Sequence, residues 1–489
     1  MEPMLHALLS RRAPWAALAA VLGCSAVSAV DYAQCSDGAT CREAFGLGYG
    51  CGGAGLCEEI EVLQRCKDVY PVDLLKDPEK YSNVVVFGSL FDNTAMTGDG
   101  KLIKAASLAI DEANANGLAE GRLFGIVHCD YQENPGIDGL TSEEAAIEGA
   151  KYLVDQLGAV AIIGPGTSGL AEAVYRELEK PSHATKTLIV SPSATSPSLT
   201  DIDATKPGLF WRTAPPDSVL GAKLAEYMEE VPIANAIVLY EDTTYGKGLA
   251  IELDKNFEDQ LTLRPYTDPS VIPQEVIKIA NENPTPTAFA VVFITSEVSQ
   301  VTSFLNAAGV SQSAFYSNPE VKIFLGDTAY NADVIKQTQG NAAMLYPNVR
   351  GVFPGAPSGS VYELFLATYA AKYSNEDASD ASYSAHTYDA TWLALYGAAW
   401  SYYQHNGDIR GPWMAEGLQN ISNGDAFDIN ATTWSSIKKA FREKRSINIR
   451  GASGELDYDP VTEETTAPVL RWTIEQSMGA WVFKETQVP

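Results

Sequence analysis

Two segments in the first half of the chain share one design, and that design limits how the chain can fold. Each is a short apolar run that ends in small, hydroxyl-bearing residues: residues 161–169 read AIIGPGTSG and residues 188–198 read LIVSPSATSPS. The stretches before and between them have helical periodicity, so both runs are predicted to be parallel strands of one α/β sheet. Their loops then meet at the carboxyl edge, where open α/β sheets bind ligands.

The two loops predict a site for an anion such as a carboxylate. Small residues let a ligand approach backbone N–H groups, and a helix N-terminus next to them favours negative charge. Ser168, Ser193 and Thr195 add hydroxyl groups that donate or accept hydrogen bonds. The alternative role of Ser193 and Thr195 is to cap the following helix or turn. The loops contain no catalytic base.

The composition excludes several classes of partner. The chain has 489 residues, 46% of them hydrophobic, which is enough for two lobes or three domains with sizeable cores. A net charge of −28, from 62 acidic and 34 basic residues, argues against nucleic acid or an anionic membrane surface as a partner. Beyond the N-terminus no apolar stretch approaches the roughly 18 residues of a transmembrane helix.

The N-terminus is typical of an export signal, predicted over residues 1–29. Arg11-Arg12 precede an apolar run over 13–21. Two kinds of processing remain open: the sequence VLGC at 21–24 resembles a bacterial lipobox that would make Cys24 a lipid anchor, and residues 27–29 form a small-x-small cleavage site. Either way, the chain is expected in the periplasm or anchored on the extracytoplasmic side of the membrane.

Six further cysteines indicate an oxidising compartment; they are Cys35, Cys41, Cys51, Cys57, Cys66 and Cys129. Five of them crowd into a glycine-rich stretch, which predicts a small disulfide-rich segment over 30–66. Cys66 and Cys129 are left as the pair that tethers it to the main body. Zinc is the alternative, but the stretch lacks C-x2-C pairs and histidine, so no metal site is expected.

A regular alternation of strands and helices follows a predicted linker at 67–82. One series of strands and helices runs to about residue 190, and a second series begins after residue 211. Two α/β lobes in succession imply a cleft between them, and such clefts are common places for small ligands.

Several motifs occur along the chain in a fixed order. They are GSL at 88–90, TGDG at 97–100, GPGTS at 164–168, SPSAT at 191–195, RT at 212–213, GKG after DTTY at 242–248, FLGD at 324–327, YDA at 388–390 and GASGELDYD at 451–459. In this order they resemble the type I periplasmic binding proteins, especially the leucine/isoleucine/valine-binding proteins of ABC transport, over about 83–484.

The resemblance implies an α/β fold of two Rossmann-like lobes joined by a three-crossing hinge. The first lobe is expected to contain 83–211 and 350–454, and the second 212–349 and 455–489. Both lobes are discontinuous in sequence, so ligand binding would close the cleft by bending the hinge.

The resemblance also implies which residues hold a ligand. Ser168 and the small-residue loop of Ser193, Ala194 and Thr195 match positions that bind the carboxylate and part of the ammonium of an amino acid. Tyr245 matches a tyrosine that closes over the ligand from the second lobe. Its alternative role is packing at the start of a helix.

Asp327 matches the acidic residue that pairs with the ligand ammonium, since a desolvated ammonium needs a carboxylate partner. A turn or cap is the alternative role of Asp327. Thr97 occupies a ligand-side position that is often aromatic in branched-chain binders, and Glu297 falls near another. These two departures argue against a purely aliphatic branched-chain ligand.

The sequence therefore predicts an exported solute-binding protein that captures a small amino acid or related carboxylate and presents it to an ABC permease. The alternative is a sensor or scaffold protein that uses the same clamp to signal to a partner. An enzyme is not expected, because the GxGxxG match at 164–169 is interrupted by Pro165, no G-x-S-x-G motif occurs, and the histidines lack ligand spacing. No cofactor is expected.

Overall fold

Two β-sheets covered by helices organise the computed structural model, one with six strands and one with seven. The structure describes residues 35, 38–77, 80–93, 99–183, 186–355, 358–465 and 468–487. The export segment predicted at 1–29, with Cys24, and the predicted ligand residue Thr97 lie outside the described residues.

The six-stranded sheet is the centre of the first lobe. In spatial order its strands are Asp68–Tyr70, Phe124–Asp130, Val85–Phe91, Ala161–Ile163, Leu188–Ser191 and Phe210–Arg212. The edge strand 68–70 is antiparallel to its neighbour and the other five are parallel. The three strands nearest the middle of this parallel series are buried along their whole length, which is why they read as continuous apolar runs.

The helices of the first lobe come from two separate parts of the chain. They are Asp99–Asn114, Ser142–Lys151 and Ser168–Leu178 from the first part, and Ser360–Lys372, Ser384–Gln404, Gly411–Leu418 and Trp434–Arg442 from the second. Ser384–Gln404 packs on Asp99–Asn114 and on the sheet, and every residue from 384 to 401 is buried. A helix buried on all sides is mostly apolar, and the buried carboxylate of this one, Asp389, is hydrogen-bonded. A two-stranded sheet of Asp425–Asp428 and Ile447–Arg450 completes the lobe.

The seven-stranded sheet is the centre of the second lobe. In spatial order its strands are Gln260–Tyr266, Asn235–Glu241, Phe289–Ile294, Val321–Leu325, Val349–Pro354, Val469–Ser477 and Ala480–Gln487. The first five are parallel, and the last two form an antiparallel hairpin. Its helices are Asp217–Glu229, Thr244–Asn256, Ile272–Glu282, Val298–Ser311, Ser313–Tyr316 and Ala332–Ala342.

The chain crosses between the lobes three times, as predicted, and the two-lobed α/β fold is confirmed. The crossings follow Arg212, follow Pro354 and precede Val469. The third is fixed to the first lobe by the buried carboxylate of Asp389, which accepts bonds from Ala452 N at 2.9 Å, Ser453 N at 2.7 Å and Ser453 Oγ at 2.6 Å. Because Val349–Pro354 pairs within the second sheet, the second crossing begins after residue 354.

The N-terminal cysteines form disulfides, as predicted; the pairs are Cys35–Cys51, Cys41–Cys57 and Cys66–Cys129. The first two pairs hold the helix Gly38–Phe45 against a hairpin of Tyr49–Cys51 and Cys57–Glu59. We call residues 38–66 the head.

The head lies on the first lobe. Arg42 Nη1 donates to Gln156 O at 2.7 Å. Arg65 is paired with Asp138, and its Nη1 donates to Gln132 O at 2.6 Å. The disulfide Cys66–Cys129 makes this attachment covalent.

Membrane-spanning length and apolarity do not occur together in any helix of the described part of the chain.

Candidate functional site

A cavity of ≈ 120 Å³ lies between the two lobes. Its walls come from the segments that follow strands of both sheets, so the carboxyl edges of the two sheets face each other across it. The lining residues are Asp92, Leu102, Tyr131, Gly166, Thr167, Ser168, Ser193, Tyr245, Ser296, Glu297, Val298, Asp327, Thr328, Asn331, Ser382 and Tyr383. Interlobe cavities of this kind are the usual place for a small ligand.

The two predicted cradle loops lie side by side on the first-lobe wall of the cavity. Ser191 Oγ donates to Pro165 O and Ser193 Oγ donates to Gly166 O, both at 2.7 Å. The backbone N–H of Ser196 donates to Ser168 Oγ at 3.1 Å. Three hydrogen bonds therefore hold the loops in one fixed arrangement.

A glycine is required where the first loop leaves its strand. Gly164 has φ of +95°, in the left-handed region, and a Cβ atom there would lie 2.5 Å from Leu90 O. Only glycine meets both conditions without strain. This position sets the direction in which residues 165–168 enter the cavity wall.

The helix Ser168–Leu178 begins at the cavity. Its N-cap residue, Thr167, makes no side-chain capping bond, and Gly166, Thr167 and Ser168 all line the space. The first backbone N–H groups of a helix have no partner within the helix, so they favour an anionic group close to the helix N-terminus. This wall suits a carboxylate.

The opposite wall contains the buried carboxylate of Asp327, which is 2% exposed. It accepts hydrogen bonds from the hydroxyl groups of Tyr245 and Tyr383. Burial raises the pKa of Asp327, and the two tyrosine bonds act against that rise. Burial and the neighbouring Asp327 raise the pKa of both tyrosines, so they stay protonated as donors.

A second buried acid lies beside Asp327. Asp217 is fully buried at the start of the helix Asp217–Glu229, and its backbone N–H donates to Thr195 O at 2.7 Å. Burial, and then the charge of Asp327, raise the pKa of Asp217 well above its ordinary value. Two buried carboxylates so close together resist ionising at the same time. A cation bound by Asp327 would ease that conflict.

Glu297 lines the cavity where the helix Val298–Ser311 begins. Burial raises the pKa of Glu297 to about 7, with further contributions from the charges of Glu241 and Asp92. Asp92 follows the strand Val85–Phe91 in the first lobe, whereas Glu297 belongs to the second lobe. The two acids therefore approach the cavity from opposite sides of the cleft.

Four of the residues predicted to bind ligand meet at the cavity: Ser168, Ser193, Tyr245 and Asp327. Ala194 and Thr195 are fully buried and do not line it.

Arg212 supports the loop that contains Ala194 and Thr195. Its Nη1 donates to Ala194 O at 3.0 Å and Ser196 O at 2.9 Å. The same guanidinium is ion-paired with Glu464 on the third crossing at 2.5 Å. Ala194 therefore contributes a backbone carbonyl to an internal bond rather than an atom to the cavity.

Sequence reasoning did not find Tyr383, which donates to Asp327 from the first lobe. It has φ of 64°, which is unusual for a residue other than glycine, and it directly precedes the helix Ser384–Gln404. No local motif marks it. Asp92, Tyr131 and Asn331 were also not expected, although Asp92 directly follows the strand Val85–Phe91, and the rule for strand ends could have pointed to it.

A ligand-sized cavity between the carboxyl edges of two α/β lobes, with three chain crossings beside it, defines a two-lobed ligand-binding protein. The chain belongs to the family described as "receptor family ligand binding region", whose profile matches residues 102–463. The predicted resemblance to type I periplasmic binding proteins is confirmed. This family is made up of solute-binding and receptor proteins, not enzymes.

The chain is similar to the chemotactic signal transduction system substrate-binding protein BasB of Halobacterium salinarum, with 26% identity over 388 residues, 78% of this chain and 82% of that protein. Its fold is similar to the branched-chain amino acid transporter substrate-binding protein LivJ of Streptococcus pneumoniae in complex with isoleucine, with a TM-score of 0.60, 19% identity, and coverage of 83% of this chain and 100% of that one.

A third similarity is to a solute-binding protein of an ABC transporter from Rhodopseudomonas palustris HaA2 in complex with p-hydroxybenzoic acid. The TM-score is 0.62 at 14% identity, over 83% of this chain and 96% of that one. At these identities the two solved structures show the fold alone.

Proposed function

We propose that this protein is an extracytoplasmic solute-binding protein that captures an α-amino acid in the interlobe cavity for ABC-type import. One observation carries the proposal: the same small cavity has an uncapped helix N-terminus on one wall and the carboxylate of Asp327 on the other. An α-amino acid has one anionic and one cationic group on the same carbon, so it matches both walls at once.

Each wall has a distinct role. The ligand carboxylate accepts hydrogen bonds from the N–H groups at the start of the helix Ser168–Leu178 and from the hydroxyl of Ser168. The ligand ammonium donates to Asp327, which Tyr245 and Tyr383 hold in place. A related carboxylate without an ammonium group would use the first wall alone and leave Asp327 without a cation, so it should bind more weakly.

Contacts across the cleft explain how ligand binding and closure are linked. Tyr383 of the first lobe donates to Asp327 of the second, and Ser196 Oγ donates to Thr244 O at 3.1 Å. A ligand that contacts both walls favours this closed arrangement over an open one by its differential affinity for the two.

Asp327→Asn tests the proposal. We expect an amino acid to raise the melting temperature of the wild-type protein, since a ligand at a hundredfold excess over Kd adds about 2.7 kcal/mol to the free energy of unfolding. We expect Asp327→Asn to remove most of that shift, because the amide cannot pair with an ammonium ion. The measurement is thermal unfolding against a panel of amino acids.

The matched control is Asp254→Asn, at an exposed position on the helix Thr244–Asn256. It should leave the ligand shift intact. The proposal fails if no amino acid stabilises the wild-type protein, or if Asp327→Asn binds amino acids as well as the wild type does.

Signalling is the second candidate, because BasB is a substrate-binding protein of a chemotactic signal transduction system. Capture of ligand is the same in both roles, and the partner differs. Crosslinking of the ligand-loaded protein to native membranes separates them: an ABC permease among the crosslinked proteins supports import, and a signalling receptor supports sensing.

A further inference from the structure

We infer that the cleft selects an amino acid whose side chain ends in a cation, such as the ammonium of lysine or ornithine or the guanidinium of arginine. This inference rests on the proposed function, because it concerns the same cavity. It assigns the second charged group of the ligand to Asp92 and Glu297.

The charges around the cavity do not balance for a neutral amino acid. Three carboxylates line it, those of Asp92, Glu297 and Asp327, and among the described lining residues there is no lysine, arginine or histidine. Residues 94–98, TAMTG, which follow Asp92 in sequence, also contain no basic residue. The α-ammonium of an amino acid balances Asp327, whereas the charge of Glu297 has only the like charges of Glu241 and Asp92 beside it among the described residues.

The charges of Asp92 and Glu297 act on each other across the cleft, and this repulsion opposes closure. Asp92 belongs to the first lobe and Glu297 to the second, and Glu297 senses the charge of Asp92 across the cleft. Like charges that approach across a closing cleft repel, whereas a cation between them attracts both. A basic side chain would therefore stabilise the closed form as well as fill the cavity.

The Glu297 carboxylate has no hydrogen-bond or ion-pair partner within the part of the chain that the structure describes. A partly buried carboxylate to which no described residue donates is costly, and an incoming ammonium or guanidinium would supply a donor. The neighbouring carboxylate of Glu241 already has hydrogen-bond donors, since it accepts bonds from Ser296 Oγ at 2.8 Å and Gln300 Nε2 at 2.9 Å.

The cavity offers little to an aliphatic side chain. Among the described lining residues, Leu102 and Val298 are the ones with purely aliphatic side chains, and the rest of the wall is polar, aromatic or glycine. An aliphatic ligand would remove water from Glu297 without giving it a partner.

The acids are also not arranged as a metal site. Within the described residues, no three carboxylates have oxygens that all lie within 4.8 Å of one another. A divalent cation takes several oxygen ligands at about 2.0–2.6 Å, so the oxygens that share one ion lie within roughly 5 Å of one another. Acids spread along the cavity fit a longer organic cation.

Titration calorimetry with lysine and norleucine tests the inference, because norleucine has the length of lysine without the distal charge. With the oxidised wild-type protein we expect lysine or arginine to bind at least tenfold more tightly than norleucine. In Glu297→Gln and in Asp92→Asn we expect this preference to fall at least tenfold.

Glu258→Gln is the matched control, since Glu258 is exposed and is not a lining residue of the cavity, and it should keep the wild-type preference. Equal binding of lysine and norleucine by the wild type, or an unchanged preference in Glu297→Gln, would overturn this inference and leave the amino-acid proposal intact. Binding of no amino acid at all would overturn both.

Discussion

At the scale of single residues, the cavity concentrates acids that the fold has partly removed from water. Asp327 has two tyrosine donors and Glu297 has none among the described residues. The difference matters because hydrogen bonds to a carboxylate favour its charged form, whereas burial alone favours the protonated form. Glu297, whose pKa burial raises to about 7, therefore changes charge near neutral pH.

Stability should report the titration of Glu297 directly. Its pKa is about 7 in the folded protein, above the ordinary value of 4.5, because of burial and the charges of Glu241 and Asp92. The folded state therefore holds a proton that the unfolded state has lost, and stability falls as pH rises from about 4.5 to 7. Glu297→Gln lacks this contribution to the pH dependence of stability.

We expect Glu297→Gln to be more stable than the wild type at pH 8, with the difference shrinking toward pH 5, when ligand-free proteins are unfolded in urea at several pH values. Comparing Glu297→Gln with the wild type cancels the contribution of Asp389, which both proteins contain and whose pKa is also about 7 because it is buried. A difference that stays constant with pH would contradict the assignment.

At the scale of secondary structure elements, the cavity wall depends on where strands end and how loops turn. Gly164 directs the chain from the strand Ala161–Ile163 into the helix Ser168–Leu178. The hydrogen bonds from Ser191 and Ser193 then fasten the neighbouring loop to it. The first wall is thus a backbone structure, so its precision depends on φ and ψ more than on side chains.

Gly164→Ala should therefore be strongly destabilising. The new Cβ would clash with Leu90 O and would be strained at φ of +95°, at a cost of about 1–3 kcal/mol in the free energy of unfolding. The control is Gly340→Ala, within the helix Ala332–Ala342, where a Cβ meets nothing within 4 Å. This change should raise the free energy of unfolding by about 0.5–1 kcal/mol, because alanine is the better helix former. Urea unfolding measures both; a neutral Gly164→Ala would refute the argument.

The sequence predicts the buried strands better than the exposed ones. Ala161–Ile163 and Leu188–Ser191 are apolar runs, and both were expected within a few residues. The strand Gln260–Tyr266 was not expected. It is a sheet edge that contains Pro265, which edge strands tolerate, and three of its seven residues are exposed. Leu261 and Leu263 alternate with polar residues and pack against the second-lobe core, but this period-2 pattern is short.

The site was predictable where it follows strand ends and not where it depends on tertiary contacts. Ser168 and Asp327 lie just after apolar runs, so they could be placed at a carboxyl edge. Tyr383 reaches Asp327 only because a distant helix of the first lobe begins beside the cleft. Thr195 is buried because its loop packs against Asp217. A tertiary contact of this kind leaves no periodic pattern in the sequence.

At the scale of the whole molecule, the head and the first lobe form one covalently joined unit. The disulfide Cys66–Cys129 attaches the end of the head to the central part of the first sheet, next to the strand Val85–Phe91. The polar contacts of Arg42 and Arg65 add to that attachment.

Replacing both Cys66 and Cys129 by serine should lower the free energy of unfolding of the first lobe by about 2–5 kcal/mol, the usual cost of losing a native disulfide. Replacing both Cys35 and Cys51, a pair confined to the N-terminal cysteine-rich segment, should shift the main thermal transition much less. Calorimetry of the two double variants makes the comparison. Equal shifts would show that the head is part of the main cooperative unit.

The covalent attachment of the head to the first lobe determines which lobe moves when ligand is captured. An attachment made through the N-terminus would hold the first lobe still, since the head cannot turn independently of the strand that contains Cys129. The second lobe would then make the whole closing movement. This lobe includes the hairpin of Val469–Ser477 and Ala480–Gln487. A partner protein would detect bound ligand as a change in the position of the second lobe relative to the stationary first lobe.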